Sequence, residues 1–321
     1  MNNLFAERLK NARIAKGMTL QQLADKINIS KQMISKYEAE RSFPTSENLI
    51  NIAKVLGVNI DYFFRSSLLD ASELSVNYSS AVSPKTAGMV EACALEQLEK
   101  LFELERILKI EKSPLSTEII IECRDRANGP ICSVVWFLES SGINVIETPD
   151  EVKIISAFGY YEGEYPLILI NSGLDHEAKR YRLLYELGRL MRIADSCGEN
   201  DNVLRSFALN MLLPEKVLAK EFGVRRNLIT VYELHSAARY FGMSANDVVF
   251  RLLEDGVTGW KYNLKSLTDK VEYRDGIFEK PEKLRKLVYK ALSLELITCG
   301  KAASILNEPI SKVKKNTVMG A

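Results

Sequence analysis

Lys31, Gln32, Ser35 and Lys36 fall on one side of a short helix-forming run, and Ile34 and Tyr37 fall on the other. Ammonium, amide and hydroxyl groups in that arrangement are the types that bond base edges and phosphates, with Met33 the one apolar side chain near them. Gln32 suits a bidentate contact to a base, and the lysines suit phosphates. Thr19, Gln21, Gln22, Ser30 and Arg41 flank the run and are expected on the sugar-phosphate backbone. Catalytic patterns are missing: the chain has no GxSxG, no GxxxxGK[ST], no GxGxxG after a strand and no CxxC pair.

A helix pair must hold these groups in place. Thr19 is a good N-cap, Leu23, Ala24 and Ile27 give an apolar face at helical spacing, and Asn28 tolerates the left-handed conformation of a sharp exit. Ile29 plugs the space between the helices and Ser30 caps the second. A first helix spans 3–16, with Leu4, Leu9 and Ile14 inward and Arg8, Lys10 and Arg13 outward. After the loop Arg41–Pro44, Thr45 or Ser46 caps a fourth helix ending at Gly57, and Asn59 caps a short fifth helix through Phe64. Residues 1–65 thus form a five-helix bundle.

The matches at Leu9, Arg13, Thr19, Leu23, Ala24, Ile29-Ser30, Ile34-Ser35-Lys36, Glu38, Pro44, Leu49, Ala53, Leu56-Gly57-Val58 and Phe63 resemble the helix-turn-helix domain of the Cro-type, or XRE, regulator family. The resemblance implies double-stranded DNA as partner. One departure is Leu20, where the family often has a glutamine that buttresses a phosphate contact; Gln21 or Gln22 would have to serve. Such modules act in pairs, two recognition helices lying about one DNA turn (~34 Å) apart on a near-palindrome, so a homodimer is expected.

Composition agrees with this division of labour. The 321 residues are 46% hydrophobic and 26% charged with net charge +1, a globular chain of more than one domain. Residues 1–65 are modestly basic and the remainder slightly acidic. Five scattered cysteines and the lack of a signal peptide or long apolar run point to a cytoplasmic protein with free, mostly buried thiols and no membrane contact. Cys123 and Cys132 are the two in which a redox role is conceivable.

Residues 66–115 read as a Ser- and Asn-rich linker with one short strand (73–78), then an amphipathic helix over 85–110 with Val90, Ala94, Leu98, Leu101, Leu104 and Leu108 on one face. That face either straps its own domain or pairs across a dimer axis. Residues 116–260 read as an α+β domain: helices over 117–127 and 131–140, a strand at 142–146, two strands over 152–160 and 166–171 joined by Tyr161-Glu162-Gly163-Glu164, and a long helix over 175–193. The whole fold is mainly α with this α+β centre.

The order of these elements, the hairpin ending Leu-Ile-Leu-Ile-Asn-Ser and the helix with Tyr-Glu-Leu-Gly-Arg resemble the zincin-like metallopeptidase domain of the ImmA/IrrE type. In that family the helix reads His-Glu-Leu-Gly-His, two zinc ligands around a general base. The resemblance places Tyr185 and Arg189 at the ligand positions and Glu186 at the base. The third ligand would fall near Val203, where only Asp201 is a carboxylate. A phenol and a permanent cation do not replace neutral imidazoles, and the two histidines, His176 and His235, lie elsewhere in the sequence. No metal, cofactor or catalytic residue is therefore expected. Glu186 is expected to pair with Arg189, Arg182 or another cation, in a pseudo-peptidase.

Helices over 231–241 and 244–254 repeat the helix-turn-helix idea with an acidic outer face, which reads as structural. Residues 261–321 end in basic helices over 282–295, 299–306 and 311–315, with a frayed end over 316–321. The expected function is a sequence-specific DNA-binding regulator, a dimeric repressor whose peptidase-like body dimerises or receives a protein or small-ligand signal. The alternatives are a regulatory metalloprotease, or an antitoxin-type regulator whose body binds a toxin.

Overall fold

The computed structural model describes residues 3–65, 69–110, 120, 121, 124, 129–193, 201–259 and 279–317. Contacts divide the chain into two compact units, residues 1–74, 80–112 and 282–321 in the first and residues 75–79 and 113–281 in the second. The first unit opens with α1 (Asn3–Ala15), α2 (Leu20–Lys26), α3 (Lys31–Glu38) and α4 (Ser46–Leu56). Thr19, Ser30 and Thr45 each accept the backbone N–H three residues on, so all three interior helices start on a side-chain cap. Asn28 takes the expected left-handed exit at φ 56°, and Gly57 ends α4 at φ 69°. Leu9, Leu23, Ala24, Ile34, Ile52, Leu56 and Phe63 close the core.

Three expectations change here. The fifth helix is only a 3-10 turn, Ile60–Phe64, because Asn59 makes no side-chain cap bond and five residues cannot repay α-helix nucleation. Arg8 is buried rather than outward: it donates to Glu99 at 2.5 Å and to the Arg65 carbonyl, and its guanidinium lies 5.1 Å from the centre of the Tyr62 ring. Arg13 likewise turns inward, to Glu38.

β1 (Leu74–Tyr78) precedes α5 (Pro84–Ile107), whose Val90, Ala94, Leu98, Leu101 and Leu104 are buried. The second unit is built from β1, α6 (Val134–Ser140), β2 (Asn144–Thr148), β3 (Ser156–Tyr161), β4 (Tyr165–Asn171), α7 (His176–Leu190), α8 (Asp201–Leu212), α9 (Glu215–Phe222), α10 (Val231–Phe241) and α11 (Ala245–Glu254). The sheet runs β1-β3-β4-β2. β3 and β4 form an antiparallel hairpin, and β2 lies parallel to β4 with Ile146 opposite Leu169. In the hairpin turn Glu162 and Gly163 both sit at positive φ, the geometry that matches strand twist. Gly159 lets β1 approach: a Cβ there would meet the Ser75 carbonyl oxygen at 2.3 Å. β4 is buried along six of its seven residues, and α7 lies against β3 and β4.

The helix expected over 131–140 starts only at Val134, because Ser133 is its cap and the Ile131 carbonyl accepts from Arg180. The helix expected over 117–127 lies largely outside the described residues, as do Cys123, Cys197 and the residues after 317. Among the described residues Cys93, Cys132 and Cys299 are in no disulfide. Burial pushes the Cys93 thiol up to about 12, whereas Cys132 is exposed, contrary to the buried placement expected.

The first unit ends with α12 (Lys283–Ser293), α13 (Cys299–Leu306) and α14 (Ile310–Thr317). α5 packs on α1 along one side and on α12 along another, with Leu104 buried among Val288, Ala291 and Ile305. Of the two roles open to its apolar face, strapping its own unit is the one the packing shows. Lys283 to Glu105 at 2.8 Å and Lys301 to Glu103 at 2.7 Å border that seam.

Candidate nucleic-acid interface and the Tyr-Glu-Leu-Gly-Arg helix

α3 buries Ile34 and Tyr37 and leaves Lys31, Gln32, Ser35 and Lys36 exposed. Among the described residues their side chains enter no hydrogen bond or ion pair, and the same holds for exposed Arg41. The flanking candidates are also exposed but already have local partners. Thr19 and Gln22 form a capping box, Gln22 accepting the Thr19 N–H at 2.9 Å. Gln21 donates to Asp25 at 2.6 Å, and Ser30 caps α3. Each such group keeps a free O–H or N–H proton to donate to a phosphate oxygen.

The residues that aim α3 are Arg13 and Glu38. Arg13 Nε and Nη2 donate to the two carboxylate oxygens of Glu38 at 2.6 and 2.8 Å, and Nη1 donates to the Met18 carbonyl at 2.8 Å. This planar two-point clamp fixes α1, the α2 entry and the end of α3 together. The sequence marked both residues, but their spacing gives no hint that they meet.

In the second unit, α7 presents Glu186 and Arg189 against β3, and Tyr185 meets the start of α8. The Glu186 carboxylate is wholly buried, accepting Ser156 Oγ at 2.6 Å and Arg189 Nη1 at 2.8 Å. Burial raises its pKa, and the two donors oppose that rise. Arg189 also donates to the Asn77 and Tyr78 carbonyls of β1 and lies 4.9 Å from the centre of the Phe158 ring. Tyr185 donates its hydroxyl proton to Asp201 Oδ1 at 2.6 Å, and burial with this bond raises its pKa. Thus the expected Glu186–Arg189 pair forms, and the carboxylate near the third-ligand position meets Tyr185. Ser156 and the β1 carbonyls were not foreseen, since they come from strands far away in sequence.

At the start of α7, burial beside Asp175 and Asp247 pushes the Glu177 carboxyl up to about 7. The folded chain holds this proton more tightly than the unfolded chain. The contribution of this carboxyl to stability is therefore expected to fall as pH rises from about 4.3 to about 7 and to level off above. Glu177→Gln should remove that fall, gaining stability over wild type at pH 8 but not at pH 4; equal urea midpoints at pH 8 would refute it.

Two family models match this chain. Residues 9–63 match the helix-turn-helix model, and residues 138–253 match the IrrE N-terminal-like domain. A relative in Bacillus subtilis (strain 168), the SPbeta prophage-derived uncharacterized HTH-type transcriptional regulator YonR, is 30% identical over 93 residues, which is 26% of this chain and 86% of that one. The cryptic phage CTXphi transcriptional repressor RstR of Vibrio cholerae is 47% identical over 55 residues, 17% of this chain and 49% of that one. The uncharacterized HTH-type transcriptional regulator YobD of Bacillus subtilis is 37% identical over 59 residues, 18% of this chain and 53% of that one. No solved structure matches. No described helix is long and apolar enough to cross a membrane. With residues 9–63 matching the helix-turn-helix model and YonR covered over 86% of its length, the chain belongs to the XRE-type helix-turn-helix transcriptional regulators, DNA-binding proteins, here carrying an IrrE-like domain.

Proposed function

We propose that this regulator is a dimeric repressor that reads a near-palindromic operator with α3. Lys31, Gln32, Ser35 and Lys36 enter the major groove, and Thr19, Gln21, Gln22, Ser30 and Arg41 hold the flanking phosphates. The observation that carries this is the α3 face itself: four exposed, unengaged polar side chains on a helix clamped by Arg13 and Glu38. Repression follows when such a dimer covers a promoter, and RstR bears the name of a repressor.

The IrrE-like domain acts in this proposal as a pseudo-peptidase that dimerises the chain or receives a protein or small-ligand signal. Its donor set does not fit zinc. Arg189 sets a permanent cation 2.8 Å from the carboxylate of Glu186 that would activate water, and Tyr185 shares its proton with Asp201. Metal analysis of the purified full-length chain should find zinc well below stoichiometric. Stoichiometric zinc together with proteolysis that disappears in Glu186→Gln would instead favour a regulatory metalloprotease.

A further inference from the structure

The carboxy-terminal pair α13–α14 repeats α2–α3 at one constant offset. Thr19 becomes Thr298, Ala24 becomes Ala303, Asn28 becomes Asn307 and Ile34 becomes Val313. The side-chain cap recurs, Gln22 N–H to Thr19 Oγ1 at 3.1 Å and Lys301 N–H to Thr298 Oγ1 at 3.2 Å. So does the turn. Asn28 N–H donates to the Asp25 carbonyl at 3.4 Å and Ile29 N–H to the Ala24 carbonyl at 3.1 Å; Asn307 N–H donates to Ser304 at 3.4 Å and Glu308 N–H to Ala303 at 3.0 Å. Both asparagines are left-handed, at φ 56° and 51°. Ile34 and Val313 are each fully buried, so the second helix of each pair faces its core with the same side.

A third hairpin shows that the turn alone does not make a reader. Gly242, Ser244 and Val248 occupy the places of Asn28, Ser30 and Ile34 in α10–α11. There, however, the positions of Lys31 and Ser35 hold Ala245 and Val249, both buried in the core of the second unit. In α14 the positions of Gln32, Ser35 and Lys36 hold Ser311, Lys314 and Lys315, all exposed, and that of Lys31 holds Ile310, apolar but exposed rather than in the core. Lys312 beside them pairs with Glu308 at 2.9 Å, while Lys314 and Lys315 make no ion pair among the described residues.

We propose that α13–α14 is a second duplex-DNA-binding hairpin, with Ser311, Lys314 and Lys315 of α14 against the phosphate backbone and groove edge. The charge of this face complements a polyanion, and the local geometry is that of α2–α3. The inference rests on the reading of α2–α3 as a DNA reader. α14 extends the footprint beyond the site that α3 selects. Phosphate contacts release condensed counterions, so they register in the salt dependence of affinity.

The test is a salt titration of the full-length chain on a duplex of about four helical turns, ~40 base pairs, recovered by selection with the same chain. Lys314→Ala/Lys315→Ala should flatten the slope of log K against log salt by about 1.8 (~0.9 per lost phosphate contact) and shorten the footprint. It should leave the preferred sequence and the unfolding temperature unchanged, because both lysines are exposed. Lys301→Ala, on the first helix of the hairpin and engaged with Glu103, should leave the slope unaltered. A slope and footprint equal to wild type in the double variant would overturn the proposal while leaving α3 intact as reader. A wild-type chain that binds no duplex at low salt would overturn both.

Discussion

Glu279→Ala is expected to destabilise the second unit by about 3–5 kcal/mol, the usual cost of stripping one partner from a buried ion pair. Arg180 and Glu279 meet at 2.6 Å with both side chains 1% exposed. Glu279 does more than neutralise the guanidinium. Its two oxygens accept the Val134 and Val135 N–H groups at 3.0 and 2.9 Å and the Ser133 hydroxyl at 3.2 Å, closing the otherwise unsatisfied start of α6. Arg180 in turn donates to the Ile131 and Phe241 carbonyls, so it has no route to water once the carboxylate is gone. Gly242 stands over it: a Cβ there would come within 2.7 Å of Arg180 Nε, at a φ of +63°. A thermal melt followed by circular dichroism should show a drop of about 6–20 °C, given ~2–4 °C per kcal/mol for a unit of this size. Removing both charges, in Arg180→Met/Glu279→Leu, should cost less than Glu279→Ala alone. A shift of under ~2 °C for Glu279→Ala would show that the pair is hydrated rather than buried.

The second large effect is on DNA. Gln32→Ala removes a side chain capable of a bidentate base contact, a change worth about 1–3 kcal/mol or roughly 5- to 150-fold in affinity. It should also relax base preference at one position of each half-site. Lys36→Ala should weaken binding evenly across sequences and reduce the salt slope by about 0.9. Both residues are exposed, so neither substitution should move the unfolding temperature. Mobility-shift titrations of the two variants on a selected duplex distinguish the cases. Unchanged affinity in both would remove α3 from the interface. Arg13→Ala offers an indirect check, because loss of the Glu38 clamp should blur specificity through misaligned α3 without deleting any contact to DNA.

The first four helices were legible in the sequence because their signals are local. Thr19, Ser30 and Thr45 cap α2, α3 and α4, left-handed Asn28 and Gly57 close α2 and α4, and these signals and the apolar residues at helical spacing are read within one turn of chain. The same holds for α13, whose cap and left-handed exit are spelled out by Thr298 and Asn307. The fifth helix failed on length, since five residues of apolar and aromatic character do not distinguish a 3-10 turn from an α-helix. The errors at Arg8 and Arg13 have a different source. Helical periodicity places charged residues outward by default, yet a guanidinium can be buried wherever a distant carboxylate meets it. Their partners, Glu99 and Glu38, are fixed by tertiary packing. The candidate pair Glu186–Arg189 was legible because i and i+3 share a helix face, whereas Ser156 and the β1 carbonyls depend on strand order. Arg180–Glu279 gave no signal at all, the two lying far apart in sequence in segments with no shared pattern.

Base reading by α3 is tested most directly by selecting duplexes from a random pool with the full-length chain beside its Gln32→Ala variant. The wild type should enrich a near-palindrome with half-sites about one helical turn, ~34 Å, apart, and the variant should lose discrimination at one position in each half. Identical enriched sequences from the two chains, with identical discrimination at every position, would contradict it.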